Sequence, residues 1–162
     1  MENNKMQAQE LKGIVSSFLQ EHRQASLATT FNNKPRTSPV EYFVGEDMSL
    51  YIISAGGSKF DAIRENPNVC LLVNTEFINH RQIKGVQIFG NAKTSDEDSN
   101  IISEAKNYSP EPYLLDNHLL KVIKIKPEEI VYLNSIGDGN RTKQILKNDQ
   151  VLVHEDLTPS IH

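Results

Sequence analysis

The chain contains no tryptophan and only one cysteine, Cys70, among its 162 residues. A lone cysteine excludes an internal disulfide and fits work in a reducing compartment, so the cytoplasm is the expected location. Cys70 sits in an apolar run and reads as a small buried hydrophobe, not a reactive thiol. No apolar stretch approaches the roughly 20 residues needed to cross a bilayer, so no membrane partner is expected. The first ten residues have no hydrophobic stretch after a basic start, which argues against a secretory signal. Basic residues are outnumbered, 17 to 21, giving a net charge of −4. With no Lys/Arg block and no basic–aromatic interleaving, nucleic acid is not an expected partner. Gly-x-Gly-x-x-Gly and Walker sequences are missing. No His-x-x-x-His pair or cysteine cluster suggests a metal site, and Ser38 and Ser54 lack the glycine elbow of a nucleophile. Any chemistry here is expected to be carried by a cofactor.

With five tyrosines and six phenylalanines, the core must lean on Ile, Leu and Val. Leu11, Ile14, Val15, Phe18 and Leu19, at three- and four-residue spacing, predict an amphipathic helix over 5–21. A strand over 25–30, a hairpin turn at 31–34 and a strand over 36–44 follow. Pro39 lacks an N–H and marks an edge or a bulge. Strands are expected at 50–54, 69–74 and 86–94, with a short helix over 58–66 stopped by Asn66-Pro67. Gly90 signals a bulge or a close backbone approach. A helix over 95–107 is expected next, then a strand over 119–126, a turn at 127–129 and a last strand over 130–134. Residues 136–162 read as a polar tail, partly helical near 141–147, packing on a partner subunit. Short helices among six or seven strands favour a mainly β domain over 1–135: an antiparallel barrel with helices at its ends.

The segment Ser54-Ala-Gly-Gly-Ser58-Lys59 runs from a strand through a Gly-Gly turn into a helix. It combines free backbone N–H groups, the positive end of a helix dipole, a hydroxyl and an ammonium. A lysine is unfavourable at that end of a helix unless an anion binds with it, so Ser58 and Lys59 are read as a phosphate seat. Ser58 is also placed to cap the helix, with Asp61 at box-like spacing. Along the second strand, Arg36, Thr37, Ser38, Pro39 and Val40 offer a second positive charge, two hydroxyls and backbone groups for a flat ring. Gln87 stands on the face opposite Val86 and Ile88, toward solvent, a subunit interface or a ligand.

In their order and spacing these pieces resemble the FMN-binding split-barrel superfamily that includes pyridoxamine 5'-phosphate oxidases. The markers are Ala-Ser-Leu-Ala-Thr near 25, Pro-Arg-Thr-Ser-Pro-Val at 35–40, Leu-Tyr-Ile-Ile-Ser at 50–54, Gly-Ser-Lys at 57–59, Glu-Asn-Pro-Asn-Val at 65–69 and Val-Gln-Ile-Phe-Gly-Asn-Ala at 86–92. The resemblance implies a split β-barrel forming a homodimer with two FMN sites at the interface. It sets the phosphate on Ser58 and Lys59 with help from Arg36, and the isoalloxazine along 36–40 near Ser54, with Gln87 nearby. The oxidases proper grip their substrate phosphate with an Arg/His-bearing segment containing Trp, which Asp138-Gly-Asn-Arg141-Thr-Lys143 does not match. The expected function is therefore an FMN-dependent oxidoreductase on another small molecule. The alternatives are a heme-handling relative, with His80 or His154 as ligand, and a non-catalytic flavin-binding stress protein.

Overall fold

In the computed structural model the described residues are 5–136 and 140–155. The expectations for residues 1–4, for the segment at 138 and for the end of the tail lie wholly or partly outside them. The helix α1 (Ala8–Glu21) forms where the apolar spacing places it, and Leu11, Val15, Phe18 and Leu19 are buried on one face. Two asparagines in the left-handed region, Asn32 (φ 49°) and Asn33 (φ 62°), join β1 (Gln24–Phe31) to β2 (Lys34–Val44). This backbone twist suits a two-residue hairpin. β3 (Leu50–Ser54), α2 (Ser58–Glu65), β4 (Asn68–Asn74) and β5 (Lys84–Thr94) follow, then α3 (Asn100–Tyr108) and β6 (Lys121–Asn134). β7 (Lys143–Lys147) and β8 (Gln150–His154) complete the order.

All pairings are antiparallel, in the order β3-β2-β1-β4-β5-β6-β7-β8, and β3 also pairs with β6. That second pairing closes six strands into a barrel, and the β7–β8 hairpin extends the sheet from β6. The fold is the expected mainly β split barrel with short helices, with eight strands among the described residues. Leu27, Leu71, Val86, Ile88, Ile123 and Ile125 fill its interior beneath α1. Outside the wall made by β3 and β6, a smaller core of Tyr51, Ile101, Ala105, Leu115 and Val122 seats α3.

Three local expectations change. The strands foreseen at 119–126 and 130–134 are one strand, because a register shift at Phe89/Gly90 leaves Glu128 without an opposite residue. The bulge absorbs Pro127, which has no N–H to donate to a ladder. Gly90 serves both expected roles: a Cβ there would lie 2.5 Å from the Lys126 carbonyl oxygen. The 95–107 helix starts only at Asn100. The Glu97 carboxylate turns back to accept from the Thr94 N–H (3.1 Å) and hydroxyl (3.2 Å), which makes that stretch a turn. The helix foreseen near 141–147 is strand β7, since Asn148 (φ 53°) and Asp149 (φ 59°) form a second left-handed hairpin turn. Pro39 lies in an unbroken ladder, opposite Ser26, so β2 has the expected free edge there and no bulge.

Candidate functional site

Leaving the turn at 45–49, β2 and β3 pair at Val44–Leu50, Phe43–Tyr51 and Tyr42–Ile52 and then stop. Had the register continued, Val40 would face Ser54, Ser38 would face Gly56 and Arg36 would face Ser58. Instead β3 stays on β6 as far as Ser54–Lys121, and β2 stays on β1 as far as Phe31–Lys34. The split between them has the 36–40 segment on one bank and the 54–59 segment on the other.

The second bank is built on glycine. Gly56 (φ 115°) and Gly57 (φ 108°, ψ −175°) take conformations that side chains disfavour. The Ser54 hydroxyl folds the turn by accepting from the Gly56 N–H at 3.2 Å. Gly57, not Ser58, is the N-cap of α2, so the capping role foreseen for Ser58 is not taken up. Ser58 is the first helical residue and exposed, with its hydroxyl making no capping bond. Lys59 is the second, and its ammonium donates to the Gly56 carbonyl at 3.2 Å. The Phe60 N–H bonds the Gly57 carbonyl at 3.1 Å. Among the described residues, the N–H groups of Ser58 and Lys59 find no acceptor. Phe60, Ala62 and Ile63 bury the other side of α2, so the donor-bearing end is held from behind. Two open amides, a free hydroxyl and an ammonium at the positive end of a helix are chemistry for an anion.

On the first bank, alternation sets Arg36, Ser38 and Val40 on the barrel's inner side and Thr37 and Pro39 on its outer side. Arg36 is exposed and lies 5.8 Å from the Phe31 ring centre. Pro39 and Val40 border a cavity of ≈ 530 Å³ shared with Ser26, Leu72 and Asn74. Gln87 is on the outer face, opposite Leu72 and Val131. It stands three strands over from Pro39, about 14 Å at the usual strand spacing. Burial pushes the Cys70 thiol up, while a hydrogen bond with Gln87 works the other way. A larger cavity, ≈ 960 Å³, lies between α1 and the β7–β8 turn and is lined by none of the expected site residues. His80 and His154 are both exposed. No cluster of three metal-ligating side chains occurs among the described residues.

The sequence reading missed one extended feature. Paired positions place Pro39, Ser26, Leu72, Gln87, Val131, Ile145 and Leu152 in one row across the outer face of seven strands. Leu72 and Phe89 are each 38 % exposed and Leu152 is 54 % exposed. Apolar residues alternating on the solvent side of β4, β5 and β8 were the available signal.

The model of the family described as pyridoxamine 5'-phosphate oxidase matches residues 11–134. The chain belongs to this family. The match takes in both banks of the split and the closing strand β6. A comparison with curated proteins finds no match. Among solved structures, the chain is similar to General Stress Protein 26 from Bacillus anthracis str. Sterne, at 26% identity. That match covers 76% of this chain and 93% of the other, with a TM-score of 0.58. A FAD-binding protein from Mesorhizobium loti shares the fold at 21% identity, over 77% of this chain and 90% of that one, with a TM-score of 0.55. So does HutZ, the heme storage protein from Vibrio cholerae, at 16% identity over 73% and 90%, with a TM-score of 0.57. Pyridoxamine 5'-phosphate oxidase family membership and these neighbours agree on the fold. No helix among the described residues is long and apolar enough to cross a membrane.

Proposed function

We propose that this chain is a cytoplasmic FMN-binding flavoprotein that works as a homodimer and passes electrons or hydride to a small acceptor. The observation that carries the reading is the Gly56–Lys59 turn, whose unpaired amides open α2 just past the point where β3 has parted from β2. Ser58, Lys59 and the two open amides would hold the FMN phosphate, with Arg36 supplying a second positive charge. Backbone groups of the free β2 edge, with the Thr37 and Ser38 hydroxyls, would orient the polar rim of the ring near Ser54. FMN itself supplies the redox chemistry when bound. The chain's own part is to bind, to orient and to exclude water.

The homodimer rests on the outer row. Leu72, Phe89, Val131, Ile145 and Leu152 form an apolar face that a second copy of the chain would cover. Such a dimer would enclose the cavity beside Pro39 and bring Gln87 to an interface. The FAD-binding neighbour supports a flavin as the ligand class, and the turn's size and charge favour the single phosphate of FMN. The test is to add FMN, FAD and hemin separately to purified protein and follow the visible spectrum. Saturable uptake of FMN, with a perturbed band at about 450 nm, supports the reading. Failure to take up FMN, or a Soret band from hemin that one His→Ala substitution abolishes, overturns it.

A further inference from the structure

A third cavity, ≈ 620 Å³, lies outside the barrel between the end of α3, the turn at 45–49 and strand β6. Its size falls among small-molecule sites, which run from about 300 to 1,000 Å³. The wall is an aromatic stack: Phe43 on Tyr51 at 5.5 Å and 18°, and Tyr51 on Tyr108 at 5.9 Å and 13°. Tyr51 is fully packed, whereas Tyr108, at the end of the stack, is exposed. The turn presses on this wall, for a Cβ at Gly45 would meet the Tyr51 ring at 2.5 Å.

The polar groups divide into a satisfied floor and an unsatisfied rim. On the floor, Lys124 donates to Glu104 at 2.6 Å and the Tyr51 hydroxyl donates to the same carboxylate oxygen at 3.1 Å. The rim holds Glu46, which receives only a long 3.4 Å bond from the Tyr108 hydroxyl, together with Asp47 and Lys126. Asp47 and Lys126 are exposed and make no ion pair among the described residues. The rim therefore offers unpaired negative charge from the turn, unpaired positive charge from β6 and one open ring, that of Tyr108.

We propose that this cavity binds a free α-amino acid, apart from the flavin site. A simple anion is opposed by Glu46 and Asp47, and a diamine is opposed by Lys126, since Lys124 and Glu104 neutralise each other on the floor. A ligand with an ammonium and a carboxylate on one carbon matches both signs, and its side chain can lie on Tyr108.

The test is calorimetric titration of the full chain with each standard amino acid, with putrescine and inorganic phosphate as probes of one sign. Saturable one-to-one binding of at least one amino acid, tighter than either single-sign probe, is expected. Lys126→Glu, at an exposed position, should weaken that amino acid about tenfold or more and improve putrescine. Lys59→Ala should leave it unchanged, which separates this site from the flavin reading. Should Lys126→Glu disturb the circular dichroism spectrum, Lys126→Gln is the substitute, with the same loss expected and no gain for putrescine. Absence of amino-acid binding, better binding of putrescine or phosphate by the unaltered chain, or an unchanged affinity in the folded Lys126 variant overturns the proposal.

Discussion

Tyr42 pairs with Ile52, and that pair is the last rung shared by β2 and β3 before the two strands part. Below it the barrel is open on one seam. The residues flanking the seam are those with the right chemistry for a phosphate and a flat ring. The glycine turn on one bank is costly to any other residue type, which makes it the first place to probe.

Gly57→Ala puts a side chain at φ 108°, in a region that L residues rarely adopt. The added methyl meets only the Lys59 ammonium, at 3.9 Å, so the penalty is backbone strain and not a clash. A loss of about 1–3 kcal/mol is expected in urea unfolding, together with weaker FMN binding. Unchanged stability and affinity would show that the turn's conformation is not required.

Gly90→Ala is expected to be worse for folding and indifferent to phosphate. Its Cβ would stand 2.5 Å from the Lys126 carbonyl oxygen and 2.9 Å from Ile125 Cγ2. Backbone cannot withdraw as a side chain can, so the bulge at Phe89/Gly90 must shift. The expected cost is about 1–3 kcal/mol or more in urea unfolding.

Much of this was legible in the sequence, for physical reasons that differ by element. The spacing of Leu11, Val15, Phe18 and Leu19 gave α1, and Asn32-Asn33 gave the first hairpin. Ser54 to Lys59 declared its turn through two adjacent glycines. Pro127 misled because a proline usually breaks a strand, and the bulge at Glu128 that accommodates it shows only against a partner strand some forty residues earlier. β7 was missed because Asn148-Asp149 is a weaker turn signal than Asn-Gly. Where β2 and β3 part, ahead of Arg36–Val40 on one strand and of Ser54–Lys59 on the other, depends on where a ladder stops, and no local pattern encodes that. The outer apolar row depends on register across seven strands.

Leu72→Asp tests the proposed homodimer. The side chain is partly exposed on the outer face, so the monomer should fold. Analytical ultracentrifugation is expected to show a dimer for the unaltered chain and a monomer for the variant, with FMN affinity reduced. A dimer that survives the substitution would place the interface elsewhere.

The Glu104–Lys124 pair predicts a pH effect. The hydrogen bond from Lys124 holds the Glu104 carboxyl below its ordinary value of 4.5; burial opposes this and the Tyr51 hydroxyl assists it. A lowered carboxyl pKa contributes stability that is complete above about 4.5 and is lost as pH falls through the folded value. Glu104→Gln should therefore flatten the fall in melting temperature below about pH 4.5, while costing up to about 1 kcal/mol at pH 7. An unchanged acid limb would mean the pair carries none of it.

The most direct measurement of the central claim compares FMN with riboflavin, which lacks only the phosphate, on the unaltered chain and on Lys59→Ala. FMN should bind the unaltered chain at least about tenfold more tightly, and Lys59→Ala should narrow that gap by about 1–3 kcal/mol while leaving riboflavin unaffected. Equal affinity for the two flavins, or a gap that Lys59→Ala leaves intact, would contradict a phosphate seat at the Gly56–Lys59 turn.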